Sequence, residues 1–86
     1  MLLENSLFKM QKRLMCTFPE QLIKQPLLFT LVNKFQVVPN IRGASVTDTI
    51  AILSLELEGE EDKVEKAVDY LQGVGVQVEF LEDHED

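Results

Sequence analysis

From Ile50 to Glu58 the chain alternates. Ala51, Leu53, Leu55 and Leu57 fall on one face, and Ile50, Ile52, Ser54, Glu56 and Glu58 on the other. Successive side chains of a strand point to opposite faces, so this stretch reads as a strand with one face in a core. Its second face grades from apolar to acidic. A strand of this kind is not stable alone; it needs neighbouring strands and a layer covering its apolar side.

The rest of the chain supplies both. Lys12 to Phe18 alternates in the same way, with Leu14, Cys16 and Phe18 on one face and Arg13, Met15 and Thr17 on the other. Pro19 ends it by removing a backbone donor. Pro26 to Phe35 reads as a helix with a stripe of Leu27, Leu28, Leu31, Val32 and Phe35, and proline suits its first turn. Phe29 lies off that stripe. From Gln36 to Val46 the pattern is mixed: Val37-Val38 is strand-like, Pro39 interrupts, and Ile41 to Val46 resumes. Proline restricts this strand to an edge or a strand start, and Gly43 permits a bulge. Thr47-Asp48-Thr49 is the turn, and Gly59 breaks the strand that follows. Glu60 to Gln72 is a second helix, with Val64, Ala67, Val68 and Leu71 at helical spacing. Gly73 or Gly75 stops it. Val76 to Leu81 is the last strand.

The order β-α-β-β-α-β predicts an α+β, ferredoxin-like sandwich: a four-stranded antiparallel sheet with two helices on one face. The domain is expected over 12–81, after an N-terminal extension, 1–11, and before an acidic tail, 82–86. Leu3, Leu7 and Met10 share a helical face, but isolated helices this short are marginal in water, so a frayed terminus is expected. The sheet's second face is left uncovered. The alternation places Arg13, Met15, Thr17, Ile50 and Ile52 there, and an open face carrying Met15, Ile50 and Ile52 suggests a subunit or ligand contact.

Composition narrows the function. With 86 residues there is room for one domain, and a chain this short buries a modest share of its surface. Its single cysteine, Cys16, permits no internal disulfide and no cysteine-based zinc site. Dimerisation is the remaining common reinforcement, and a lone thiol fits a cytoplasmic setting. A net charge of −7 argues against nucleic acid as a partner, since that binding rests on neutralising phosphates with cations. No apolar run approaches the length of a membrane span, and Met1 to Ser6, with an early acid and no long apolar core, is not expected to act as an export signal.

No catalytic constellation emerges. His84, the only histidine, lies in the acidic tail, which offers no fixed geometry. Cys16 falls on a core face, where free cysteine behaves as a small hydrophobe. Glu60, Glu61 and Asp62 suit the start of a helix without any metal. Gly73-Val74-Gly75 follows a helix and precedes a strand, the reverse of a phosphate loop. The expectation is a binding protein rather than an enzyme, with no cofactor and no metal.

Several strings, in order, resemble the NIL domain, the C-terminal regulatory domain of methionine-importer ATPases, which also occurs beside ferredoxin modules and as stand-alone proteins. Val38-Pro39-Asn40-Ile41-Arg42-Gly43 stands where that family has its Asn-Ile-Leu signature. Ser54-Leu55-Glu56-Leu57-Glu58-Gly59 is similar to the family's strand ending in glycine. Tyr70-Leu71 followed by Gly75-Val76-Gln77-Val78, and Gln25-Pro26 at the entry to the first helix, match further. Arg42 replaces the signature leucine, and Ala51 stands where many members have glycine.

The resemblance implies a homodimer meeting through the sheets, with methionine or a related amino acid near the interface. It carries the signature asparagine onto Asn40, with Ile41 and Arg42 beside it, and the reading of the open face adds Met15 and Ile52 as residues that can line a side-chain slot. Asn40 can meet a ligand's carboxylate or ammonium, or it bonds backbone to shape the turn. Arg42 can pair with a ligand carboxylate or solvate a sheet edge. The expected function is a regulatory module sensing a sulfur-containing amino acid. The competing expectation is a docking module without a small ligand, serving a transporter or a protein of sulfur metabolism.

Overall fold

The computed structural model describes residues 9–81. The expectations for residues 1–8 and 82–86, His84 included, lie outside the described residues. In chain order the elements are β1 (Lys9–Pro19), α1 (Glu20–Ile23), α2 (Leu27–Phe35), β2 (Val38–Val46), β3 (Ile50–Glu60), α3 (Glu61–Val74) and β4 (Gln77–Phe80). The four strands form one antiparallel sheet in the order β2-β3-β1-β4. Because β3 separates β1 from β2, and β1 separates β3 from β4, the chain makes two interleaved split βαβ units. The fold is α+β and ferredoxin-like. A third helix, the single turn α1, joins the two expected ones.

The core lies on one side of the sheet. Leu14, Cys16 and Phe18 of β1 and Ala51, Leu55 and Leu57 of β3 meet Leu22, Leu27, Leu31, Val64, Ala67, Val68 and Leu71 of the helices in one cluster. No polar or charged side chain is buried among the described residues. Phe35 and Tyr70 pack across α2 and α3 with ring centroids 5.3 Å apart and planes tilted by 42°. Val32, placed on the apolar stripe by its spacing, is instead 49% exposed. The stripe that packs is Leu27, Leu28, Leu31 and Phe35, a narrower arc that leaves Val32 on the solvent side beside exposed Phe29.

Local chemistry ends the elements. Gly75, at φ 113°, caps α3; its N–H donates to the Gln72 carbonyl and that of Val76 to the Leu71 carbonyl. This is a Schellman ending, and it uses the conformation that only glycine adopts cheaply. The Thr47 hydroxyl donates to the Ile50 carbonyl at 3.2 Å and accepts from the Ile50 N–H at 3.2 Å, closing the β2–β3 hairpin. Gly59 does not break β3, which runs on to Glu60. It pairs with Met10, and a Cβ there would lie 3.2 Å from Val37 Cγ1. Its role is to admit Val37, not to stop the strand. Likewise β1 starts at Lys9, three residues before its alternation becomes visible, because pairing with the end of β3 recruits Lys9 to Gln11 through backbone bonds.

Cys16 is fully buried, and burial pushes its thiol up from 9.0 to about 11. The folded protein thus holds a proton that the unfolded chain releases. Stability should be independent of this group below pH 9 and should fall as pH rises from about 9 to about 11. Urea midpoints at pH 8 and pH 10.5 should therefore drop further for the native protein than for Cys16→Ala. Equal drops would show that Cys16 is not shielded.

Candidate functional site

The strand registers arrange the uncovered face in cross-strand rows. Arg13 pairs with Glu56 and Glu56 with Asn40, so these three residues form one row across β1, β3 and β2. Directly opposed side chains on one face lie about 5 Å apart at Cβ. The next row is Met15, Ser54 and Gly43, with Glu79 of β4 beside Met15. The row beyond it is Thr17, Ile52 and Ser45, with Gln77. Ile50 follows at the hairpin end. The open face is thus polar at its centre and apolar toward the hairpin, where Ile50 and Ile52 are 38% and 36% exposed.

Alternation from Asn40 puts Arg42 on this face, and a β-bulge begins there. Ile41 pairs with Leu55, but Gly43 pairs with Ser54, so Arg42 is an extra residue with no partner on β3. A bulge resets the alternation and re-aims side chains. Arg42 Nη1 donates to Glu56 Oε1 at 3.4 Å, while Arg13 Nε lies 3.7 Å from Glu56 Oε2. One carboxylate therefore serves two guanidiniums. The bulge turns Gly43 toward the open face, opposite Ser54. A Cβ on Gly43 would meet nothing closer than Ser54 Cβ at 3.9 Å. By side-chain size, Gly43 and Ser54 are the floor of a shallow trough in this face, bordered by Met15 in the same row, Ile52 one row beyond, and Asn40, Glu56 and the two arginines on the other side.

Of the residues singled out in the sequence, Met15, Asn40 and Arg42 come together around Glu56 and Ser54. Ile52 lies one row past Met15, on the same face. Ile41 lies on the opposite face, where its partner Leu55 is buried, and is itself 56% exposed. Arg13 and Glu56 were not singled out as site residues. Their shared face was legible, but the register that sets them opposite each other was not.

The helix side carries a separate cleft of about 310 Å³ between the α1–α2 corner and the β2–β3 hairpin. Phe18, Leu22, Leu27, Phe29, Val46 and Leu53 line it, with Gln25 at its border. The bulge contributes here too, because it turns Val46 to this side. The cleft offers no charged group. Among the described residues no three His, Cys, Asp or Glu side chains meet as a metal site requires. No described helix is long and apolar enough to cross a membrane.

The crystal structure of the C-terminal domain of an ABC transporter ATP-binding protein from Enterococcus faecalis superimposes with a TM-score of 0.76. It is 22% identical, and the alignment covers 85% of this chain and 86% of that one. At that identity the likeness establishes the fold. Curated protein sequences gave no match. The NIL domain family matches residues 12–80, which takes in β1 from Lys12 and every element after it, and the chain belongs to that family.

Proposed function

We propose that this chain is a non-catalytic regulatory module of the cytoplasm, sensing a sulfur-containing amino acid, methionine first, between two copies joined through the open sheet face. The observation that carries the reading is the meeting of Arg13, Glu56, Arg42 and Asn40 one row from Met15 on the open face. Both charge signs and an amide stand beside an apolar wall, which is the complement of a zwitterion with a flexible, polarizable side chain. On one protomer the trough is open, whereas small-molecule sites enclose most of their ligand. A second copy laid on the face supplies the missing cover. Ligand binding then strengthens the dimer by mass action, and that change is a signal a partner can read. The partner in this reading is a transporter ATPase, the class of protein from which the E. faecalis domain comes.

Thermal denaturation with and without L-methionine tests the reading. Ligand at about 100 times its dissociation constant adds about 2.7 kcal/mol. For a domain of this size that raises the melting temperature by about 10–20 °C. Asn40→Ala should weaken binding by about 1–3 kcal/mol, since a ligand group loses its partner, without lowering the ligand-free melting temperature. No shift with methionine, homocysteine or cysteine at millimolar concentration would leave the docking reading. The apolar cleft favours that second reading: with Phe29 at its rim 64% exposed, it suits an apolar side chain of a protein partner.

A further inference from the structure

We infer that Glu56 receives the positive end of the ligand while Arg13 and Arg42 together hold its negative end, so that the site selects a zwitterion over a simple acid. This rests on the open face being an amino-acid site. The Glu56 side chain is 15% exposed, against 40% for Arg13 and 50% for Arg42. Its two oxygens meet different guanidiniums, at 3.4 Å and 3.7 Å, and only the contact with Arg42 is a hydrogen bond.

Each guanidinium carries five N–H donors, and a carboxylate has about four lone-pair positions. Among the described residues one donor and one acceptor position are used, so both arginines and Glu56 retain capacity for a ligand. What draws a carboxylate here is the pair of guanidiniums flanking Glu56, whose remaining N–H donors point to no other acceptor among the described residues. A site built only for an acid would gain nothing from a carboxylate at its centre, because like charges repel. A ligand ammonium placed over Glu56 converts that repulsion to attraction. Glu58 and Glu79 lie one row to either side of Glu56 on the same face and form no ion pair among the described residues. Glu56 is thus the carboxylate that the arginines hold in place. Asn40, its neighbour on β2, bridges either end of the ligand.

Calorimetry on the whole chain tests this with three probes: L-methionine, N-acetyl-L-methionine, which lacks the ammonium, and L-methioninol, which lacks the carboxylate. The native protein should bind methionine about tenfold or more tighter than either analogue, the worth of a charged hydrogen bond. Glu56→Gln should lose about tenfold for methionine while N-acetylmethionine binding holds or tightens. Arg42→Gln should weaken both acids. An unchanged preference in Glu56→Gln overturns the inference and leaves the amino-acid site standing. Binding of none of the probes by the native protein removes both. Should Glu56→Gln fail to fold, the native protein decides alone: equal affinity for methionine and its N-acetyl form overturns the assignment of Glu56.

Discussion

Leu55→Ala is expected to cost about 3–4 kcal/mol of stability. Leu55 has no solvent exposure. It sits mid-strand in β3, which is flanked on both sides, by Leu14 of β1 and Ile41 of β2. The three-carbon truncation removes transfer free energy and leaves a cavity, because two flanking strands and a helix layer prevent collapse around it. Folded domains are stable by roughly 0.05–0.15 kcal/mol per residue, so the loss is a large share of what a chain of this length has. The melting temperature should fall by about 12–30 °C. Val38→Ala is the control, since Val38 is 52% exposed on the edge strand; it should change stability by less than about 0.5 kcal/mol. Both proteins must be compared at one concentration, because association makes the midpoint concentration-dependent. A loss below about 1 kcal/mol for Leu55→Ala would mean that β3 is not the centre of the packed layer.

The second large effect concerns association. If the open face joins two copies, Ile52→Asp should convert a dimer to a monomer at micromolar concentration, a weakening of about a hundredfold or more. Ile52 stands in the row with Thr17 and Ser45, next to the row of Met15, and is 36% exposed on the isolated protomer. Burying its side chain against a twin gains apolar area on both copies. An aspartate there must lose its hydration with no cation in its own row, and a desolvated, unpaired carboxylate is costly. By symmetry the penalty applies twice. The protomer itself should fold, since Ile52 points away from the core. Sedimentation velocity on the native protein and the variant checks this. A native protein that sediments as a monomer at tens of micromolar, or a variant that stays dimeric with unchanged affinity, would exclude this face as the interface.

Much of the architecture was legible before any tertiary contact. Leu14, Cys16 and Phe18 on one side and Arg13, Met15 and Thr17 on the other follow from alternation alone, and the structure keeps them there. The same holds for β3 and for the buried stripe of α3. Helix α1 was not legible, because one turn over Glu-Gln-Leu-Ile has too few positions to show a period. Val32 was misplaced because spacing defines an arc around the helix axis but not how wide an arc the neighbouring elements cover.

The candidate site divides in the same way. The Val38–Gly43 string drew attention to Asn40 and Arg42 by its residues. That Arg42 reaches Glu56 depends on the register of β2 against β3, and that Gly43 shares the open face depends on the bulge, which has no signature beyond a permissive Gly43; Ile41 faces away by plain alternation. The order of the four strands and the two longer helices, and the two faces of β1 and β3, were determined by the sequence alone, because backbone periodicity is a local property of successive residues. The row of Arg13, Glu56 and Asn40, the trough over Gly43 and Ser54, and the reason for Gly59 were decided only by the tertiary structure. Each depends on which residues of distant strands stand opposite one another, and that register is set by hydrogen-bond ladders between segments far apart in the chain.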